Sequence, residues 1–147
     1  MLNIGDVWRH SDYYKDKDTG KPLPKYLLVL SVRTDGDIVY RLLTSRQNSR
    51  PTDPVCYHGT PYPGYYLGIP MPSGLLNSET WLDLRELSED FDSLDFEKLV
   101  LLGVLTLVHT FSPEVMCPLL SCTAYAQDTT KRQTQDIMRS RQTLNCG

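Results

Sequence analysis

The pattern of apolar and polar positions is organised around the stretch from Lys25 to Arg46, which reads as two strand-like runs. Two β-branched, apolar runs, 25–33 and 38–44, are joined by Thr34, Asp35, Gly36 and Asp37. An Asp-Gly pair between such runs is the strongest short-range hairpin signal. With Asp35-Gly36 as a two-residue loop, counting outward sets Thr34 against Asp37, Val32 against Val39, Leu27 against Thr44 and Lys25 against Arg46. Side chains alternate along a strand, so Lys25, Leu27, Thr44 and Arg46 are expected on one face at the open end of the hairpin. Two cations directly opposite each other repel unless something anionic lies between them. That end is therefore the first candidate site.

The pattern elsewhere predicts a short opening strand over 4–9, a solvated polar loop over 10–24 with its turn at Gly20, and a strand over Thr80 to Leu84. In that last strand Trp81, Asp83 and Arg85 share one face and Leu82 and Leu84 the other. Residues 47–74 hold six prolines and four tyrosines. Proline cannot donate to a strand ladder, so only a brief strand such as 65–67 fits there. A segment that long reads as an insertion or lid loop. Residues 86–95 form an acidic connector. The run 99–108 is the most apolar and leans toward strand, with helix as the other reading. Ser112-Pro113 starts a helix; Pro118 would interrupt it, and helix is then expected from 119 to about 143, within a C-terminal helical segment over 112–143. The last three residues are expected to fray.

At 147 residues the chain is expected to be a single domain, 1–147, large enough for a core of its own. No apolar run approaches the roughly 18 residues of a membrane span, and the start lacks a signal-peptide pattern, so a cytoplasmic protein without membrane contact is expected. Four cysteines without a dense framework read as reduced thiols. A zinc site would have to join Cys56 and His58 to Cys117 and Cys122, and neither half has the usual finger spacing; no metal and no cofactor is expected. The net charge of −3 divides into +3 for residues 1–50, −7 for 51–100 and +1 for 101–147. The acidic balance argues against nonspecific nucleic-acid binding and leaves room for a local cationic site on the hairpin.

Lys25, Thr44 and Arg46 offer two cationic donors and a hydroxyl within cross-strand reach, which suits a phosphate. Trp81 would stack a base while Asp83 accepts a proton and Arg85 stabilises a phosphorane. His58 is the one histidine in the aromatic stretch, and an imidazole suits general-acid work near neutrality. Structural explanations stand beside each reading: strand ends often carry Lys and Arg, Trp81 can be core, and a loop histidine commonly makes one hydrogen bond. A thiol nucleophile at Cys56 with His58 as base lacks an orienting third residue. The sequence has no glycine-rich phosphate loop, no His-Glu-x-x-His and no nucleophile elbow, which removes ATP-dependent, metalloprotease and α/β-hydrolase chemistry.

The order of segments resembles the MazF/PemK family of toxin ribonucleases. The resemblance lies in Gly5-Asp-Val-Trp8, in the strand from Lys25 to Ser31, in the pair Thr44-Ser45, in Trp81 to Arg85 and in the leucine-rich run 99–106 with its internal Gly103. It implies a mostly β fold with added α structure, a small SH3-like β-barrel with a C-terminal helix, usually dimeric. It implies metal-independent endoribonuclease activity on single-stranded RNA, toxin–antitoxin pairing with a protein antitoxin, and a homodimer. Carried over residue by residue, Lys25 stands where the family has Arg, Thr44 matches its Thr and Asp83 its later Asp. Lysine cannot reproduce the bidentate Arg fork, the Arg expected just before the Asp is Trp81 or Leu82, and the 47–74 segment and the tail after Pro118 are additional. The expected site is Lys25, Thr44, Asp83 and His58 for catalysis, with Arg46, Arg85, Trp81, Tyr57 and Tyr62 on the substrate. The alternative is a non-catalytic SH3-like barrel that binds a protein partner.

Overall fold

Hairpin pairing extends in both directions into one antiparallel sheet of seven strands, order β4-β5-β6-β3-β2-β1-β7. The computed structural model describes residues 2–85 and 90–147. The strands are β1 (Asp6–Lys15), β2 (Pro22–Val32), β3 (Ile38–Thr44), β4 (Cys56–Tyr57), β5 (Gly64–Gly68), β6 (Thr80–Asp83) and β7 (Leu105–Thr110). The helices are α1 (Ser93–Leu101), α2 (Pro113–Ala124) and α3 (Lys131–Thr143). Among the described residues the fold is thus mostly β with three helices.

Alternation along β2 and β3 feeds two cores. Leu28, Leu30, Val39 and Leu43 join Met116, Leu119 and Leu120 of α2 and Ile137 of α3. Leu27, Val29, Ile38 and Tyr40 join Trp8 and Phe96 of α1. Both faces of the central hairpin are therefore covered, which is why ten of the residues from Leu27 to Leu43, including Ser31 and Arg41, are buried at 8 % exposure or less. β1 and β2 continue through the region expected to be a loop: Tyr14 pairs with Leu23 and Lys15 with Pro22. Mixed polar composition there reflects a ribbon projecting into solvent.

The hairpin register differs from the count outward from Asp35-Gly36. Arg33 N–H donates to Asp37 O at 2.8 Å and Gly36 N–H to Arg33 O at 2.9 Å, so the loop has three residues, 34–36, with Gly36 at φ 91° supplying the left-handed position of such a loop. A bulge then leaves Leu30 unpaired, with Val29 opposite Tyr40 and Ser31 opposite Val39. The two shifts together pair Tyr26 with Leu43, which puts Lys25 beside Thr44 and not opposite Arg46.

The apolar run 99–108 divides at Gly103, φ 75°, into the end of α1 and the start of β7. Compositional burial overstated this segment, since Leu101 and Leu102 are 82 % and 65 % exposed. Pro118 lies inside an unbroken α2. The helix expected over 119–143 is two helices, and the turn between them is closed by Thr129 Oγ1 donating to Thr123 O at 2.8 Å. Residues 86–89 of the acidic connector lie outside the described residues.

All four cysteines are bridged, Cys56–Cys122 and Cys117–Cys146, against the expectation of free thiols. Their Cα atoms are 5.8 and 5.5 Å apart across separations of 66 and 29 residues, a convergence onto α2 that linear spacing conceals. The second bridge holds the tail that was expected to fray, and Cys146 N–H also donates to Arg141 O at 2.9 Å.

A buried ionic cluster docks α3 on the hairpin. Arg33 Nε donates to Asp136 Oδ2 and its Nη2 lies against Asp90 Oδ2, both at 2.8 Å. Burial works against the Arg33 cation, yet the hydrogen bonds and charges of Asp136 and Asp90 raise its pKa. Gln133 accepts from Arg41 Nη2 at 3.0 Å and donates to Asp90 at 2.9 Å, while its backbone N–H caps on Thr130. Removing one partner of a buried pair strands the other charge. Asp136→Ala is expected to lower the unfolding free energy by about 3 kcal/mol, read by urea denaturation; a loss under about 0.5 kcal/mol, the surface-mutation range, would refute the role of this pair.

Candidate functional site

A cleft of about 290 Å³ opens at the end of β2 and β3, lined among others by Tyr14, Lys25, Thr44, Ser45, Arg46 and Thr80. The altered register does not separate the two cations. Thr44 Oγ1 accepts from Arg46 N–H at 3.1 Å, a local turn that brings Arg46 round to the cleft wall. Lys25 Nζ lies 5.5 Å from the ring centre of Tyr14. Burial lowers the Lys25 pKa, the Arg46 charge lowers it further, and Asp83 opposes this by less. Among the described residues no carboxylate lies within ion-pair distance of Lys25 or Arg46. Two cations and a hydroxyl share this concavity with no carboxylate paired to either cation among the described residues, an arrangement whose chemistry suits an anion.

Next to the cleft, β6 pairs Trp81 with Thr44 and Asp83 with Gly64. The Asp83 carboxylate is shared by two guanidiniums. Arg85 forks onto it, Nε at 3.0 Å from Oδ1 and Nη2 at 2.7 Å from Oδ2, and Arg50 Nη2 stands 3.2 Å from Oδ1. That second approach satisfies charge but not hydrogen-bond direction, since Arg50 Nη2 has no hydrogen-bond partner. Burial would raise the Asp83 pKa, but the Arg85 hydrogen bonds and both Arg charges prevail and hold it below the ordinary carboxylate value. Asp83 in this arrangement is a weak proton acceptor. The Arg85 side chain is 47 % exposed, so it can leave the pair for a ligand without dragging core with it.

Arg50 is 0 % exposed, and sequence reasoning missed it because nothing in its irregular segment marks burial. Its Nε donates to Pro63 O at 3.1 Å and Nη1 to Arg46 O at 3.0 Å, which ties the cleft wall to the 47–63 loop. It fits because Gly64 has no side chain: a Cβ there would meet Arg50 Cδ at 2.7 Å. Tyr62 lies with its ring centre 5.3 Å from the Arg50 guanidinium and 4.9 Å from that of Arg85, so cations already flank it. Trp81 is 2 % exposed, its Nε1 donating to Pro51 O at 3.1 Å. Tyr66 packs on it at 5.2 Å and is the more accessible ring. Tyr57 is half-buried on β4.

His58 is not among the residues lining the cleft. Its Nε2 lies 3.0 Å from Cys122 O and 3.5 Å from the sulfurs of both Cys56 and Cys122. The structure thus gathers Lys25, Thr44 and Arg46 at one cleft, sets Asp83, Arg85 and Tyr62 in an ion-paired cluster beside it, and places His58 against a disulfide. Tyr14 and Thr80, also at the cleft, went unnoticed because the first falls in the supposed loop and the second opens a strand. No family model, curated protein or solved structure matches the chain.

Because the folded-state pKa of Asp83 is depressed, its contribution to stability is fully present above the unfolded value and is lost as pH falls through the folded one. Urea midpoints of the wild type are expected to fall on acidification below about pH 4, and Asp83→Asn is expected to flatten that dependence while lowering stability at pH 7. An unchanged acid slope in the variant would contradict the pairing. Gly64→Ala is expected to displace Arg50 and lower the unfolding free energy by about 1–3 kcal/mol, with a neutral effect refuting the close approach.

Proposed function

We propose that the protein is a metal-independent endoribonuclease of the MazF/PemK-like, toxin–antitoxin type, acting on single-stranded RNA at the Lys25 cleft. The observation that carries this reading is the convergence of Lys25, Thr44, Ser45 and Arg46 on one cleft with no carboxylate paired to either cation among the described residues. Arg46, on the exposed rim, holds the phosphate. Lys25, whose ammonium is destabilised by burial and then by Arg46, donates a proton to the leaving 5′ oxygen more readily than an ordinary lysine. Thr44 orients the phosphate through its hydroxyl. Arg85 moves from Asp83 to the phosphorane, and Asp83, then paired with Arg50 alone, takes the proton of the attacking 2′-hydroxyl. Tyr62 and Tyr57 supply rings for bases; Trp81 supports them from the core. His58 has no step in this scheme.

The same reading carries an SH3-like arrangement of the sheet, a homodimer, a cytoplasmic setting and a protein antitoxin that fills the cleft. The second reading, a non-catalytic module, is favoured by the hold of Arg50 and Arg85 on Asp83, which leaves the resting site without a free base.

End-labelled single-stranded RNA in EDTA separates the two. Cleavage is expected from the wild type, reduced about 100-fold or more by Lys25→Ala and by Thr44→Ala, with Arg46→Ala weakening RNA binding about tenfold, the value of one charge-assisted contact. Binding without cleavage would establish the module. Neither binding nor cleavage across varied sequences would overturn both uses of the cleft.

A further inference from the structure

Away from the cleft, Cys56, His58 and Cys122 bring their donor atoms within 4.8 Å of one another, the one such group of three His, Cys or acidic residues among the described residues. We propose that these three residues form a site for a soft divalent cation such as Zn²⁺, closed by the Cys56–Cys122 disulfide and opened by a thiol reductant. The inference is independent of the RNA reading.

The geometry fits the ion. With Zn–S near 2.3 Å and Zn–N near 2.0–2.1 Å in a tetrahedron, sulfur and imidazole nitrogen stand about 3.5 Å apart. His58 Nε2 is 3.5 Å from Cys56 Sγ and 3.5 Å from Cys122 Sγ. Only the sulfurs have to part, to about 3.8 Å for the same tetrahedron, and reduction permits it. Cys56 lies in β4, His58 directly follows that strand, and Cys122 lies in α2. Both carriers are fixed independently of the bridge: β4 by pairing Cys56 with Tyr65, and α2 by burial of Met116, Leu119 and Leu120 at 0 % exposure. Cys122 is buried, while Cys56 and His58 are half-buried, so an ion can enter from solvent and the fourth position is left to water. The other bridge, Cys117–Cys146, has no comparable third donor among the described residues.

The chemistry balances. The disulfide takes two electrons and two protons from a dithiol, which becomes a disulfide, and yields two thiols. Binding of Zn²⁺ releases both thiol protons. Nε2 now faces Cys122 O at 3.0 Å; as a ligand it carries no proton, so the imidazole proton resides on Nδ1. Two thiolates, a neutral imidazole and the dication give a neutral site that can stay half-buried. Either state, bridged or metal-bound, fastens the 47–63 loop to α2.

Co²⁺ serves as the probe on the full chain. The oxidised protein is expected to bind none. After phosphine reduction without oxygen, one Co²⁺ per chain is expected, with a thiolate-to-cobalt charge-transfer band. His58→Ala is expected to weaken binding at least about tenfold. On the reduced wild type, Zn²⁺ is expected to shield Cys56 and Cys122 from alkylation and leave Cys117 and Cys146 reactive, as resolved by peptide mass spectrometry. The proposal is overturned by no cobalt binding after reduction, by equal shielding of all four cysteines, by undiminished affinity in His58→Ala with the same spectrum, or by a reduced chain that unfolds and is not restored by Zn²⁺.

Discussion

Three buried guanidiniums, those of Arg33, Arg41 and Arg50, each need acceptors, and the positions of those acceptors decide how the rest of the molecule assembles. A buried cation left unpaired costs several kcal/mol, so each guanidinium constrains whatever segment supplies its partner. Arg33 and Arg41 project from the central hairpin to Asp136, Gln133 and Asp90, and so set where α3 lies on the sheet. Arg50 does the same for the irregular 47–63 segment, reaching Asp83, Pro63 O and Arg46 O. Apolar burial alone would leave α3 free to slide; the directional acceptors fix its register.

This consumption of carboxylates shapes the site. Asp83, Asp90 and Asp136 are all engaged by buried arginines, although the middle third of the chain is strongly acidic. Lys25 and Arg46 remain as cations with no such partner among the described residues, in a concavity whose walls include Thr44 and Ser45. Among the described residues the cleft thus holds two cations outside any ion pair, in a protein of net charge −3. Cys56–Cys122 attaches α2 to the loop and Cys117–Cys146 attaches it to the C-terminal tail, so the 47–63 loop is held by an ion pair at Arg50 and by a covalent bond at Cys56.

The sequence was informative where one local rule dominated. The Asp-Gly pair between apolar runs in 25–44 located the hairpin, and the shared face of Leu82 and Leu84 agrees with their place in one core. It was less informative where two rules competed. Asp35-Gly36 permits both a two- and a three-residue loop, and the bulge at Leu30 adds a second shift that composition does not announce, so the partner of Lys25 came out two positions off. Lys25 and Arg46 still share the cleft because the Thr44–Arg46 turn bends the chain back. The run 99–108 held signals for helix and strand because it contains both, divided at Gly103. The polar residues of 10–24 hid a solvent-facing ribbon. The burial of Arg50 and the meeting of Cys56 with Cys122 depend on contacts between distant segments, which no spacing rule encodes.

The proposed use of the cleft requires an anion site built around a destabilised lysine. NMR titration of the Lys25 side-chain ammonium, with and without a single-stranded dinucleotide carrying one phosphodiester, tests this most directly. Burial and Arg46 are expected to hold its pKa below the ordinary lysine value of 10.5. An anion bound between the two cations should raise it again, since the opposite charge favours the protonated form. A Lys25 that titrates as a free lysine and is unmoved by the dinucleotide would rule out an anion site at this cleft.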